Sequence, residues 1–305
     1  MFSPRTGYFL ALLTAIISGF SIFLNKFAVA ETNSFVFTFL KNSIVAVFLL
    51  SAILLLKEFP AVKNLAKSQW LQLALLGLVG GSIPFLLFFF ALQSTSAVNA
   101  GFVQKTMFVF ASVFAFVFLK EKISKNFLLA AVLLLLGNFF MFSAFSEFAF
   151  ADLLVLAAVL FWAVEAVIAK RIMQKIDSKI SAFGRMFFGA LFMLVFLVFS
   201  NQLHFAGNLS VLQWQWILLV SVPLFFYVLA FYSALKTIPV SKATAILMLG
   251  QPVTLLLSFA FLNRALSFNQ ALGIALTLSA ILLLFCSSYA VSFLRSRGFL
   301  LAATK

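Results

Sequence analysis

Acidic residues are scarce in this 305-residue chain: seven Asp and Glu stand against 21 Lys and Arg, and charged residues of both signs make up only 9% of it. A soluble domain carries roughly a quarter charged residues, so no soluble fold covers the 65% of this chain that is hydrophobic. One cysteine (Cys286) and one histidine (His204) exclude a disulfide framework and argue against a structural metal site. Catalysis is poorly supplied as well. His204 stands alone in a connector and Glu165 has no second acid at comparable depth, so a membrane-embedded enzyme lacks its acid pair or its nucleophile and base. No G-x-x-x-x-G-K-[ST] stretch is present, which argues against ATP hydrolysis by this chain. The net charge of +14 is not gathered into basic and aromatic runs on a polar domain, so nucleic acid is not an expected partner.

What the sequence does have is apolar length. Runs of about 17 to 25 residues, bounded by charge or turn residues, predict ten spans. They fall near 6–25, 34–56, 70–92, 97–119, 126–145, 151–169, 180–200, 214–235, 241–262 and 268–291. Lipid satisfies no open backbone group, so these spans are helices and the expected class is an all-α polytopic membrane protein. Ala28-Val29-Ala30 has the form of a leader cleavage site. The apolar stretch before it exceeds the usual ~7 to 15 residues, and its kind recurs near 151–170, so it reads as a retained helix. Trp70, Trp214 and Trp216 sit at span ends, as interfacial anchors do.

With the N-terminus in the cytoplasm, the inner connectors and termini hold 16 of the 21 basic residues, including Arg5, Lys57, Lys122, Lys175, Lys236, Arg297 and Lys305. The outer side keeps Lys26 and Arg264, and Lys41, Lys105 and Arg185 fall inside spans. That asymmetry predicts a multi-pass protein with both termini cytoplasmic.

The chain writes one stretch twice. Ala91-Leu92-Gln93 reappears as Ala234-Leu235-Lys236, and Leu119-Lys-Glu-Lys-Ile-Ser124 reappears at the same offset as Leu262-Asn-Arg-Ala-Leu-Ser267. One residue further on in offset, Lys26 aligns with Lys170, Ser34 with Ser178 and Lys41 with Arg185. Five spans per repeat means that the second repeat enters the membrane with opposite polarity, the inverted arrangement that gives a carrier two interchangeable access states.

This pattern resembles the EamA-like carriers of the drug/metabolite transporter superfamily, whose halves each carry A-L-x-x-[ST]-x-A-x-x-A, a mid-helix proline and L-x-E-x-[IL]-[ST]. Ala91, Leu92, Thr95, Ala97, Ala100, Leu119, Glu121, Ile123 and Ser124 fit in the first copy; Ala234, Leu235, Ala243, Pro252, Leu266 and Ser267 fit in the second. Val109 stands where Pro252 aligns, and Arg264 replaces the glutamate. The resemblance implies two repeats, here 1–146 and 147–305, and a plasma-membrane secondary carrier. Its cargo would be a small metabolite, most often an amino acid or related polar or amphipathic solute, usually exported. Small-molecule substrate and membrane lipid are the expected partners, no cofactor is expected, and the oligomeric state is left open. A lipid-linked-sugar flippase of the same fold is the alternative.

Candidate contacts follow from polar residues at helical spacing. The fourth span carries Gly101, Gln104, Lys105 and Ser112 at steps of three and four, and the ninth carries Thr244, Met248, Gln251 and Ser258. The first span carries Ser18 and Ser21, and the sixth carries Trp162 and Glu165; the family often has Trp-Ala in this helix, here Trp162-Ala163. Tyr227, with Pro223 and Tyr232, marks the eighth, and Gly80, Gly81 and Pro84 mark a bend in the third. Lys105, about 12 Å from its helix end, is expected to contact an anionic group of the cargo. Glu165 and Arg185 are expected either to pair or to couple protons, with Lys105 the competing partner of Glu165. Lys41 is expected to snorkel to the interface.

Overall fold

Helix starts in this chain are written by hydroxyl, amide and carboxylate side chains that accept from the first free backbone N–H groups. Ser3 accepts from Thr6, Asn33 from Phe35 and Val36, Ser96 from Asn99, Asp177 from Lys179 and Ser210 from Gln213. The two serines that close the repeated motif do the same work at equivalent places: Ser124 caps Phe127 and Ser267 caps Gln270.

A computed structural model describes residues 3–142, 149–262 and 265–296. Arg264, Arg297, Lys305 and the expected junction between residues 146 and 147 lie outside the described residues. Among the described residues there are nine helices long and apolar enough to cross a membrane, a shorter apolar tenth at Lys125–Met141, and no strand. They are α1 (Pro4–Ala30), α2 (Ser34–Leu55), α3 (Lys67–Ser94), α4 (Ala97–Leu119), α5 (Lys125–Met141), α6 (Phe150–Ile172), α7 (Ser178–Phe199), α8 (Val211–Thr237), α9 (Val240–Leu262) and α10 (Phe268–Ser296). The predicted span limits fall within five residues of these ends. One addition is a helical turn, Phe59–Lys63, between α2 and α3.

The main helix contacts run between the halves and obey a two-fold rule in which each helix exchanges with the one five further on. Helix α1 packs on α8 as α6 packs on α3, α1 packs on α9 as α6 packs on α4, and α2·α7, α4·α9 and α5·α10 are self-paired. This is a polytopic membrane fold of two inverted five-helix repeats. Side chains such as Phe9, Leu55, Phe199 and Phe261 stand exposed on the outer faces, where a bilayer covers them.

Equivalent lysines hold equivalent helix ends. Lys26 Nζ donates to the carbonyls of Leu92 (2.8 Å) and Gln93 (3.1 Å) at the end of α3. Lys170 Nζ donates to those of Leu235 (2.5 Å), Lys236 (3.3 Å) and Ile238 (2.9 Å) at the end of α8. The free carbonyls and negative dipole end of each helix explain why a cation stands there. The motif glutamate has a structural use too. The carboxylate of Glu121 accepts from Val240 N (2.6 Å), Ser241 N (3.1 Å) and Ser241 Oγ (2.7 Å), so the end of α4 caps the start of α9. Lys120, in the left-handed conformation (φ 56°), ends α4 and turns the chain toward that contact.

Three helices depart from α geometry at membrane depth. Gly77–Ser82 of α3 is π-helical. Helix α9 tightens to a 3-10 turn at Leu247–Leu249 and resumes at Gly250 with Pro252 in its first turn. Helix α4 breaks at Thr106, whose hydroxyl donates to Val103 O at 2.7 Å. The first repeat thus interrupts its fourth helix near the equivalent place without a proline.

Candidate functional site

A cavity between the repeats is lined by α1, α2, α3 and α4 of the first and α6, α7, α8 and α9 of the second, with the breaks of α4 and α9 at its wall. It holds about 80 Å³ of water-accessible space, and a site that admits one water needs about 10 to 15 Å³ on this measure, so there is room for several waters or a small solute. Of the residues singled out from the sequence, Ser18, Ser21, Gln104, Lys105, Trp162, Glu165, Arg185, Tyr227 and Thr244 line it.

Gly101 and Gln251 are placed elsewhere, in the seam between α4 and α9. Gln251 is fully buried and its Nε2 donates to Val98 O at 3.0 Å. A Cβ at residue 101 would collide with Gln251 Oε1, so the glycine is there to admit the glutamine. The polar face read from helical spacing on α4 is therefore shared between a packing seam and the cavity. Ser258 is spent on its own helix, donating to Thr254 O at 2.9 Å, and Thr244 makes the same bond to Val240 O at 2.9 Å.

Lys105 is buried. Its Nζ donates to Ser18 Oγ at 2.8 Å and to Gln104 Oε1 at 2.9 Å, so it joins α4 to α1. Glu165 is engaged differently from the Lys105 alternative: its Oε1 lies 3.6 Å from Arg185 Nε and accepts the hydroxyl of Tyr232. This is a contact of charges across α6 and α7, with the hydrogen bond supplied from α8. Gly80 makes room for it, since a Cβ there would collide with the Glu165 side chain. The Gly80 carbonyl, exposed by the π-helical turn, accepts Trp162 Nε1 at 3.1 Å, and Gly81 O accepts Asn42 Nδ2 at 3.0 Å.

Lys41 does not snorkel. It is 1% exposed, donates to Asn25 Oδ1 at 3.1 Å and lies 3.4 Å from the centroid of the Phe89 ring. Its face of α2 looks into the protein, so the side chain has no path to an interface; the aromatic face and the amide stabilise the ammonium in place. Lys41 and Arg185, aligned in the repeat, also flank one ring: Phe85 lies 5.7 Å from Lys41 Nζ and 5.2 Å from Arg185 Cζ. The aromatic wall is thus Phe85, Phe88 and Phe89 of α3, with Trp162 of α6 and Tyr227 and Phe231 of α8 from the opposite repeat. The phenylalanines were not singled out in the sequence, where they are hidden among 44. Their spacing of three and four after Pro84 was the available signal.

Both halves of the chain match the model of the EamA-like transporter family, over residues 5–143 and 149–286. The chain belongs to the EamA-like transporter family. Similar proteins carry matching names. An "Uncharacterized transporter" of Archaeoglobus fulgidus is 28% identical over 293 residues, covering 92% of this chain and 97% of that protein. The "Uncharacterized transporter YetK" of Bacillus subtilis is 27% identical over 290 residues, covering 91% and 86%. A third, from Clostridium kluyveri, is 25% identical over 287 residues, covering 88% and 90%. A solved crystal structure superposes with a TM-score of 0.73 at 16% identity, over 94% of this chain and 99% of that one, which establishes the shared fold. This EamA-like protein is a multi-pass membrane transporter.

Proposed function

We propose that this EamA-like protein is a secondary carrier that moves a small carboxylate-bearing metabolite, an amino acid or a related amphipathic solute, by alternating access in the direction of export. The observation that carries the reading is the charge balance of the cavity. Three cations, Lys41, Lys105 and Arg185, face it with one carboxylate, Glu165, which is already engaged by Arg185. An ammonium at membrane depth needs compensation, and neutral partners leave the charge of each lysine without an opposite one; water serves when the cavity is empty and the cargo's carboxylate when it is loaded. Lys105, Gln104, Ser18, Ser21 and Thr244 form the polar side of the site. Trp162, Tyr227 and the phenylalanines receive the apolar part of the cargo, while Glu165 and Arg185 act as a held pair. The size of the cavity favours a small solute over a lipid-linked sugar.

The repeats are taken as 1–146 and 147–305. The excess of basic residues on one side supports a plasma-membrane protein with both termini in the cytoplasm. The experiment is metabolite profiling of cells with and without the protein, followed by counterflow of the identified solutes in liposomes. A carboxylate-bearing solute should exchange, and Lys105→Met should weaken its apparent affinity while leaving the protein folded. A folded Lys105→Met protein with unchanged affinity refutes the assigned contact.

A further inference from the structure

The two halves of the cavity differ at one pair of equivalent positions. In the second half the cation on α7, Arg185, faces a carboxylate on α6, Glu165. In the first half the cation on α2 is Lys41, and the position on α1 equivalent to Glu165 is Ser21, whose Oγ is buried without a hydrogen-bond partner. Among the described residues neither Lys41 nor Lys105 has a carboxylate within ion-pair distance. An ammonium carries three donors; Lys41 spends one on Asn25, and Lys105 spends two on Ser18 and Gln104.

The neutral partners of the two lysines stand on one helix. Ser18 and Asn25 lie on one face of α1, about two turns or 10.5 Å apart along the axis, with Ser21 between them. Lys105 Nζ lies 2.8 Å from Ser18 Oγ and Lys41 Nζ 3.1 Å from Asn25 Oδ1, so the two cations face one cavity at a separation on the scale of those two turns, which a short chain with a carboxylate at each end can bridge.

We infer that the cargo carries two carboxylates on such a short chain, one held by Lys105 and the other by Lys41 beside Ser21, where it takes the place that Glu165 fills in the other half. This rests on the carboxylate reading above and adds Lys41 as a binding residue. Two sources share the chemistry, simple dicarboxylates and acidic amino acids.

The test uses the full-length protein in lipid nanodiscs with succinate, glutarate, aspartate and glutamate, against butyrate and alanine as single-carboxylate probes. Two-carboxylate probes should bind about tenfold more tightly or better, the worth of one charge-assisted contact. Lys41→Met should remove that preference, whereas Lys105→Met should weaken the binding of one- and two-carboxylate probes alike. Ser21→Glu, which gives Lys41 an internal carboxylate, should also remove the preference. Tighter binding of the amino acids identifies that source, and tighter binding of succinate and glutarate identifies the other. Equal binding of one- and two-carboxylate probes by the unaltered protein overturns the inference while leaving the carboxylate reading standing, and so does a folded Lys41→Met or Ser21→Glu protein that keeps the preference. Failure of every carboxylate to bind overturns both. The ratio in the unaltered protein decides the matter even where a variant fails to fold.

Discussion

Cutting the Glu165–Arg185 pair is the most direct perturbation of the cavity. The charged atoms are 3.6 Å apart and their side chains are 1% and 4% exposed. At an effective dielectric of about 20, unit charges at that distance attract by about 4 to 5 kcal/mol. Removing one partner of a buried pair typically destabilises by about 3 to 5 kcal/mol, because the survivor stays buried and uncompensated. Arg185→Met should fall in that range, since the carboxylate keeps only the Tyr232 hydroxyl. Glu165→Gln should lose about 1 kcal/mol less, because the amide oxygen still accepts from Tyr232. The double variant strands neither charge and should recover about 2 kcal/mol or more of the summed losses. Equilibrium unfolding in mixed micelles, followed by tryptophan fluorescence, measures all four proteins. Single losses below about 0.5 kcal/mol, with a double variant that is merely additive, would refute the pairing and return Glu165 to a proton-coupling role. Such a role predicts that Glu165→Gln abolishes transport driven by a pH gradient while cargo-for-cargo exchange persists.

Other predictions test the frame around the site. Glu121→Ala removes the acceptor for two backbone N–H groups and a hydroxyl at the start of α9. It should lower stability by about 1 to 2 kcal/mol, with Glu121→Gln losing less, as read by thermal unfolding. Asp177 lies in the connector between α6 and α7. Burial alone would raise its carboxyl, but hydrogen bonds from Lys236 Nζ and the Lys179 backbone N–H, with the charges of both lysines, outweigh burial and hold it below its ordinary value of 3.8. A depressed carboxyl contributes stability above its unfolded value and loses it as pH falls through the lower folded one. Asp177→Asn keeps the helix cap but loses the charge, so it should be less stable than the unaltered protein at neutral pH, and the gap should close as pH falls below 3.8 through the lower folded value. Single cysteines placed at His204 and Lys175 in a Cys286→Ser background should label from outside and inside respectively; the reverse pattern would refute the proposed orientation.

The ten spans were legible because lipid forces a simple code: apolar length between charged connectors, with caps written in Ser, Asn and Asp. The repeat was legible in Lys26 and Lys170, whose common use as caps needs the same residue in both copies. The cavity was legible where polar side chains interrupt an apolar helix, as at Ser18, Lys105 and Glu165. Spacing along one helix does not tell whether a polar face meets a cavity or a neighbouring helix, so Gly101 and Gln251 were assigned to the site and belong to the α4–α9 seam. Snorkelling is expected of Lys41 because Ser21 offers no acid where Glu165 faces Arg185; the amide of Asn25 and the ring of Phe89, which hold it instead, are contacts the repeat alignment does not show. The π-helical turn at Gly77–Ser82 carries a carbonyl that meets Trp162 from the other half, a long-range contact that local sequence does not encode.

The lysine caps fasten the two repeats at opposite ends. Lys26 ties the far end of α1 to the far end of α3, on the face opposite the N-terminus, while Lys170 ties the end of α6 to the end of α8 on the N-terminal face. The two ties therefore stand on opposite sides of the bilayer, one in each repeat. On the alternating-access reading proposed above, loss of Lys26 and loss of Lys170 should shift the balance between the two openings in opposite directions, as read by accessibility of single cysteines from either side.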